Sequence, residues 1–346
     1  MTTCDSQTMD RALGALSGLS FGDALGMPTQ SMSDQDIKTT YGRITTLRDA
    51  VHEQPIAPDM PAGSVTDDTD QALIVADLLI QGEGHIDPQT FAQSLLRWED
   101  SMRARGSHDL LGPSTKLALE EVRAGADIAS TGKTGCTNGA AMRVTPVGIA
   151  TPIKGDTDRF ARHVYESCQV THDTLPGFQG AALVAAAVSY GMDGADTHQA
   201  LQSALTAVSG MQVPAAWSPK ANVLTRARIS IDLAQASMSI SNDEFEDRLR
   251  AECGSSVEAN ESVPAAFALA WRFAEKPTEA LLSAANLGGD TDTIAAMAGA
   301  VLGACNGVGG FPKDLLDQMA SVSKIELAPI AQRLVNLRNC QDGRAQ

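Results

Sequence analysis

The feature that most constrains this chain is a helical periodicity that recurs along nearly all of its 346 residues, while no segment alternates convincingly as a strand. Twelve runs read as helices: Arg11–Leu25, Thr69–Ile80, Pro88–Arg103, Pro113–Arg123, Arg159–Cys168, Leu175–Tyr190, Thr197–Val208, Val223–Ala236, Asp243–Glu252, Ser262–Ala274, Thr291–Cys305 and Ile330–Arg338. Glycine and proline fall between them, as in Gly82-Glu83-Gly84 and Gly309-Gly310-Phe311-Pro312, where they end one helix and release the chain for the next. Ile44–Leu47 is the best strand candidate, and it is short. Only 14 residues are aromatic, whereas alanine and glycine are plentiful. A core so poor in large side chains must be built by close approach of small ones, which suits helix on helix better than sheet faces. The expected fold is therefore all-α. No low-complexity linker divides the chain, so a single domain over residues 1–346 is expected, its core about 10–340. Tyr41–Ala62 carries four Pro or Gly residues and no periodicity, and reads as a long, functional loop inside that domain.

The charge narrows the partners. With 42 acidic and 26 basic side chains the formal charge is −16, and no basic run interrupts it, which argues against nucleic acid. No stretch reaches the ~18 apolar residues of a membrane span, and the N-terminus lacks the basic start of a signal peptide. The six cysteines are scattered without a C-x-x-C pair, consistent with reduced thiols in a cytoplasmic protein.

Two acidic clusters carry the chemistry. Gly63-Ser64-Val65-Thr66-Asp67-Asp68-Thr69-Asp70 runs straight into an apolar helix. Asp and Thr are ordinary capping residues, and alone this cluster reads as a cap with an acidic first turn. Adjacent Asp67 and Asp68 exceed that need, because one cap oxygen suffices. The same grammar returns in Gly288-Gly289-Asp290-Thr291-Asp292-Thr293, before a helix of small residues that is expected to be buried. Unpaired carboxylates are costly to bury unless a cation neutralises them. If the two clusters face each other, Asp67, Asp68, Asp290 and Asp292 with the hydroxyls of Thr66 and Thr293 make a cage of oxygen ligands, suited to hard cations such as Mg²⁺, with carboxylates enough for two ions. Two unrelated acidic caps are the competing reading.

The segment Gly135-Cys136-Thr137-Asn138-Gly139-Ala140-Ala141-Met142 follows Gly132-Lys133-Thr134, which imitates the end of a P-loop; Asp127 stands where that motif needs a glycine, so a nucleotide triphosphatase is rejected. A Gly-rich turn entering a helix can still offer amides to a phosphate or ribose, and can equally be a structural loop. His172 precedes a long small-residue helix and, judged alone, reads as structural.

Together these segments resemble the ADP-ribosylglycohydrolase family, over nearly the whole chain, from the opening Gly22-Asp23-Ala24-Leu25-Gly26 to the second acidic cluster. The ordered set is specific where each motif alone is weak. The resemblance implies a compact helical fold around a cleft floored by two Mg²⁺ or Mn²⁺ ions, held by residues matching Thr66, Asp67, Asp68, Asp290, Asp292 and Thr293. It implies substrate contacts from Gly135, Cys136, Asn138, Gly139, Met142, His172 and Gly289, and from Asp109. Two departures stand out. Family members usually carry a glutamate shortly after Gly26, and here that place holds Gln30, which cannot accept a proton. In Asp109-Leu110-Leu111-Gly112 the usual aspartate two residues before the glycine is Leu110. Catalysis would then fall to Asp67, Asp68 and Asp292, with Asp67 or Asp292 as base and Gln30 beside them. The implied activity is metal-dependent hydrolysis of an ADP-ribosyl N- or O-glycosidic bond, on protein or on a small conjugate, by a monomer or small homo-oligomer. The alternatives are a hydrolase of simple ribosides and a non-catalytic ADP-ribose-binding relative.

Overall fold

Seventeen α-helices, and no strand, make up the described residues of the computed structural model, which are 6–107 and 111–343. In chain order they are α1 (Ser6–Gly26), α2 (Asp34–Tyr41), α3 (Asp67–Gln81), α4 (Pro88–Ala104), α5 (Pro113–Arg123), α6 (Gly139–Met142), α7 (Thr145–Ala150), α8 (Thr157–Cys168), α9 (Leu175–Met192), α10 (Thr197–Val208), α11 (Val223–Ala236), α12 (Asn242–Glu252), α13 (Ala259–Arg272), α14 (Pro277–Ala285), α15 (Thr291–Asn306), α16 (Lys313–Ser323) and α17 (Leu327–Gly343). All twelve predicted helices are present. The five that periodicity missed, α2, α6, α7, α14 and α16, are short, from four to eleven residues, too few turns for a pattern to repeat.

Ile44–Leu47 is not a strand. The Ile44 amide donates to Asn286 Oδ1 at 2.8 Å, and Asn286 Nδ2 donates back to the Ile44 carbonyl at 3.0 Å. One side-chain amide thus satisfies both backbone groups, and no ladder is needed.

The small residues set the architecture. In α1, Gly14, Gly18, Gly22 and Gly26 recur every four residues and form one face. They run antiparallel to α15, so that a Cβ on Gly14, Gly18 or Gly22 would collide with the carbonyl of Gly303, Gly299 or Ala295, and one on Gly26 would strike the backbone of Asp292. Backbones approach this closely only where no Cβ intervenes. The seam therefore fixes the start of α15 against the end of α1. Around it, α9 is buried on nearly every side, and one continuous apolar core runs from Ala12 to Val335. No described helix is long and apolar enough to cross a membrane.

A candidate active site at the end of the glycine seam

The seam carries an acidic residue, Asp23, which is fully buried beside the start of α3. Its carboxylate accepts from the backbone N–H of Thr66 at 3.0 Å, from that of Thr69 at 3.1 Å and from the Thr69 hydroxyl at 2.5 Å. Asp23 thus caps α3 from another helix, beside the N-cap Thr66, whose hydroxyl accepts the Asp68 amide at 3.4 Å. Burial raises its pKa to about 6, although those donors oppose the rise.

Freed from capping, the aspartates of α3 serve other partners. Asp68, 1% exposed, accepts from the hydroxyls of Thr66 at 3.3 Å and Thr293 at 3.1 Å through Oδ2, while its Oδ1 is buried without a hydrogen-bond partner. Asp23, Asp68 and Asp292 each direct a carboxylate oxygen into a space where these atoms lie within 4.8 Å of one another. Burial, and then the like charges of Asp292, Asp23, Asp67 and Asp290, hold the Asp68 carboxyl well above the usual carboxylate range. Such a set is stable as carboxylates only with positive charge among them. Asp67 is anchored from behind: Gln71 Nε2 donates to its Oδ2 at 2.7 Å, and Gln71 Oε1 accepts from the buried Arg143 at 2.8 Å, which fixes the amide orientation.

The second cluster arrives through a strained turn. Gly288 and Gly289 have φ near +81° and +82°, and Gly289 pairs its N–H with the Met32 carbonyl at 2.9 Å and its carbonyl with the Ser31 amide at 2.7 Å. A Cβ on Gly289 would also strike Ser255. Glycine is required here, and the pairing sets Gln30 and Ser31 beside Asp290. Asn138 Nδ2 donates to Asp290 Oδ2 at 2.5 Å and to Ser262 Oγ at 3.0 Å. Burial pushes Asp290 up to about 6, against the pull of these hydrogen bonds.

Above the carboxylates lies a cavity of about 280 Å³. Of the residues expected from the sequence, Gln30, Asp67, Asn138, Gly139, Met142, Asp290, Asp292 and Thr293 line it. Thr66 and Asp68 lie beneath, in the buried floor. Gly289 is placed as backbone, and Gly135 and Cys136 are buried in the loop behind the wall, Cys136 against Ser218. His172 is fully buried and reaches the cavity wall through Thr137 rather than facing the cavity itself. Asp109 lies outside the described residues.

Sequence reasoning missed Asp23, Thr137, Arg143 and Ile56. The signal for Asp23 was available: a carboxylate set among glycines and apolar residues, in the part of α1 from Gly14 to Gly26 that has no exposed residue. The long loop contributes through Gln54, which donates to the Gln30 carbonyl at 2.8 Å and accepts from the amides of Ile56, at 2.6 Å, and Ala57, placing Ile56 in the cavity wall. The Gln30 side-chain nitrogen, buried and with no hydrogen-bond partner, belongs to this wall too.

Comparison with known proteins agrees with this fold. The family model described as ADP-ribosylglycohydrolase matches residues 5–343. The uncharacterized protein YegU of Escherichia coli (strain K12) is 32% identical over 329 residues, covering 95% of this chain and 97% of YegU. The ADP-ribosylarginine hydrolase Tri1 of Pseudomonas putida (strain GB-1) is 28% identical over 356 residues, covering 96% and 80%. A solved structure titled as an ADP-ribosylglycohydrolase-related protein complex superposes with a TM-score of 0.69 at 24% identity, covering 96% of this chain and all of that one, and shares its fold. This chain belongs to the ADP-ribosylglycohydrolase family.

Proposed function

We propose that this protein hydrolyses an ADP-ribosyl N- or O-glycosidic bond with two Mg²⁺ or Mn²⁺ ions held by Thr66, Asp67, Asp68, Asp290, Asp292 and Thr293, together with Asp23, whose carboxylate meets those of Asp68 and Asp292. The carrying observation is the convergence of buried carboxylates from three helix ends, with Asp68 Oδ1 left without a hydrogen-bond donor. The donors are all hard oxygens, the set that suits these ions. Bound there, the ions would supply Lewis acidity and lower the pKa of water. The chain's own residues do the rest. Asp67, braced by Gln71, and Asp290, braced by Asn138, present fixed acceptors to the cis-diol of a ribose. Asp292 faces the same cavity as the remaining candidate to take a proton from attacking water. Gln30 offers an amide where family members usually have a glutamate, so it can orient a substrate oxygen but not remove a proton.

A second reading, hydrolysis of simple ribosides, draws on the cavity's modest volume and on the charge of −16, which opposes an anionic substrate. Arginine-linked ADP-ribose and a panel of nucleosides, each with Mg²⁺ and with EDTA, separate the two. Metal-dependent release of ADP-ribose supports the first and release of free base the second. Inertness toward both, unchanged in Gln30→Glu, leaves a binding protein.

A further inference from the structure

Arg143, which braces Gln71, brings a positive charge behind the cavity wall. It is fully buried, yet among the described residues its hydrogen bonds go to neutral acceptors: Gln71 Oε1, and Thr171 Oγ1 at 2.6 Å. Its guanidinium sits 4.8 Å over the Phe91 ring. Burial lowers its pKa only to about 10, so it stays charged at neutral pH. From Thr171 the chain of contacts continues. Thr171 Oγ1 lies 2.8 Å from His172 Nδ1, and His172 Nε2 lies 2.9 Å from Thr137 Oγ1. Thr171 and His172 are fully buried, whereas Thr137 is half-buried and lines the cavity.

Counting protons gives this chain a direction. Arg143 can only donate to Thr171. If the Thr171 hydroxyl donates to His172 Nδ1, then Nε2–H donates to Thr137, and the Thr137 proton is left to point into the cavity. In the opposite arrangement Nδ1–H donates to Thr171, whose own proton then has no acceptor in a fully buried place, a cost of about 1–3 kcal/mol. The Arg143 charge favours the first arrangement as well, because it turns the unprotonated Nδ1 toward the cation. Burial, with Arg143 adding to it, holds the His172 pKa well below its usual value, so the ring is neutral and the tautomer is the one variable left.

We propose that Arg143, acting through Thr171 and His172, fixes Thr137 as a one-way donor into the cavity, where it recognises an acceptor oxygen that carries no proton. On the function proposed above, that oxygen is a phosphoryl oxygen of the ADP-ribosyl group. Thr137 touches the substrate, while His172, Thr171 and Arg143 are positioning residues. Thr137 and the carboxylates line the same cavity, so one part of it gives a proton to the ligand's anionic end and another accepts protons from its diol.

Two readouts test this. In the ligand-free protein with Mg²⁺, ¹⁵N spectra of the His172 ring are expected to show a protonated Nε2 and a bare Nδ1. Thr171→Val should mix the tautomers, and Thr171→Ser should restore the single form. In kinetics with Mg²⁺, Thr137→Val is expected to raise KM for ADP-ribosyl-arginine by about ten- to hundredfold, Thr137→Ser to stay near wild type, and ribosyl-arginine, which lacks the phosphates, to respond to neither. A protonated Nδ1 in the wild type overturns the relay. Equal losses in Thr137→Val and Thr137→Ser, or equal losses on both substrates, overturn the donor role. If the wild type cleaves no ADP-ribosyl substrate while the Nε2–H tautomer is found, the proposed function and the phosphoryl target fail together, and the directed donor stands.

Discussion

Two kinds of aspartate begin helices in this protein. Asp87, Asp156 and Asp196 precede α4, α8 and α10, and each accepts the amide three residues on, from Thr90 at 2.8 Å, Arg159 at 2.8 Å and Gln199 at 2.9 Å. Asp290 holds the same N-cap place before α15 without making that bond, Asp67, Asp68 and Asp292 stand in the first turn of their helices, and neither α3 nor α15 is capped by an aspartate of its own. The α3 amides are taken by Asp23 from α1. Electrostatics separates Asp87 from Asp68 in sign: the Thr90 hydrogen bonds hold exposed Asp87 below the usual carboxylate range, while burial drives Asp68 far above it. Residue type is the same in both groups, and all of them lie at or just inside a helix start. What differs is whether the helix spends the oxygen on itself, and in α3 it is Asp23, 43 and 46 positions away, that takes the Thr66 and Thr69 amides.

The largest effect expected from breaking this contrast is on activity. Asp68→Ala should lower ADP-ribosyl hydrolysis by at least about a hundredfold, the upper end of what loss of an outer-shell partner costs a metal site. Asp196→Ala should leave the rate unchanged; comparable losses in both would erase the distinction. Asp23→Ala comes next. It leaves the Thr66 and Thr69 amides without their buried acceptor, so metal-dependent activity should fall about tenfold or more, and retention of full activity would show that the cap supplied by α1 is not needed.

The pH response is smaller and tests the sign. In the metal-stripped fold, burial raises Asp290 to about 6 from an ordinary 3.8, so the native state holds more protons than the unfolded chain between those values. That group's contribution to stability therefore grows as pH falls through the window. Relative to Asp290→Asn, the wild type in EDTA should gain melting temperature from pH 7 to pH 5, and saturating Mg²⁺ should reverse the trend, because protons then compete with the ion. A trend unaffected by Mg²⁺ would detach Asp290 from the cation site. Smallest of all, Asp196→Ala should cost about 1 kcal/mol in denaturant unfolding, the ordinary worth of a cap.

The helices were legible because apolar spacing survives in a single sequence, and so were the two acidic starts, whose doubled aspartates exceed what a cap uses. Asp23 was not, since its role lies in a contact across the glycine seam. Short helices such as α6 and α7 hold no full pattern. The resemblance counts His172 among the substrate contacts, whereas the structure sets Thr137 between its ring and the cavity, a placement that depends on a fold-level meeting of the 135–142 loop with the start of α9.

The central claim is that these buried carboxylates are kept ionised by cations. Titrating Mn²⁺ into EDTA-stripped protein by calorimetry at pH 7.5 tests it most directly. The account predicts two ions bound per chain with release of protons, and loss of that binding in Asp68→Ala; a wild type that binds none, or an Asp68→Ala variant that still binds two, would contradict it.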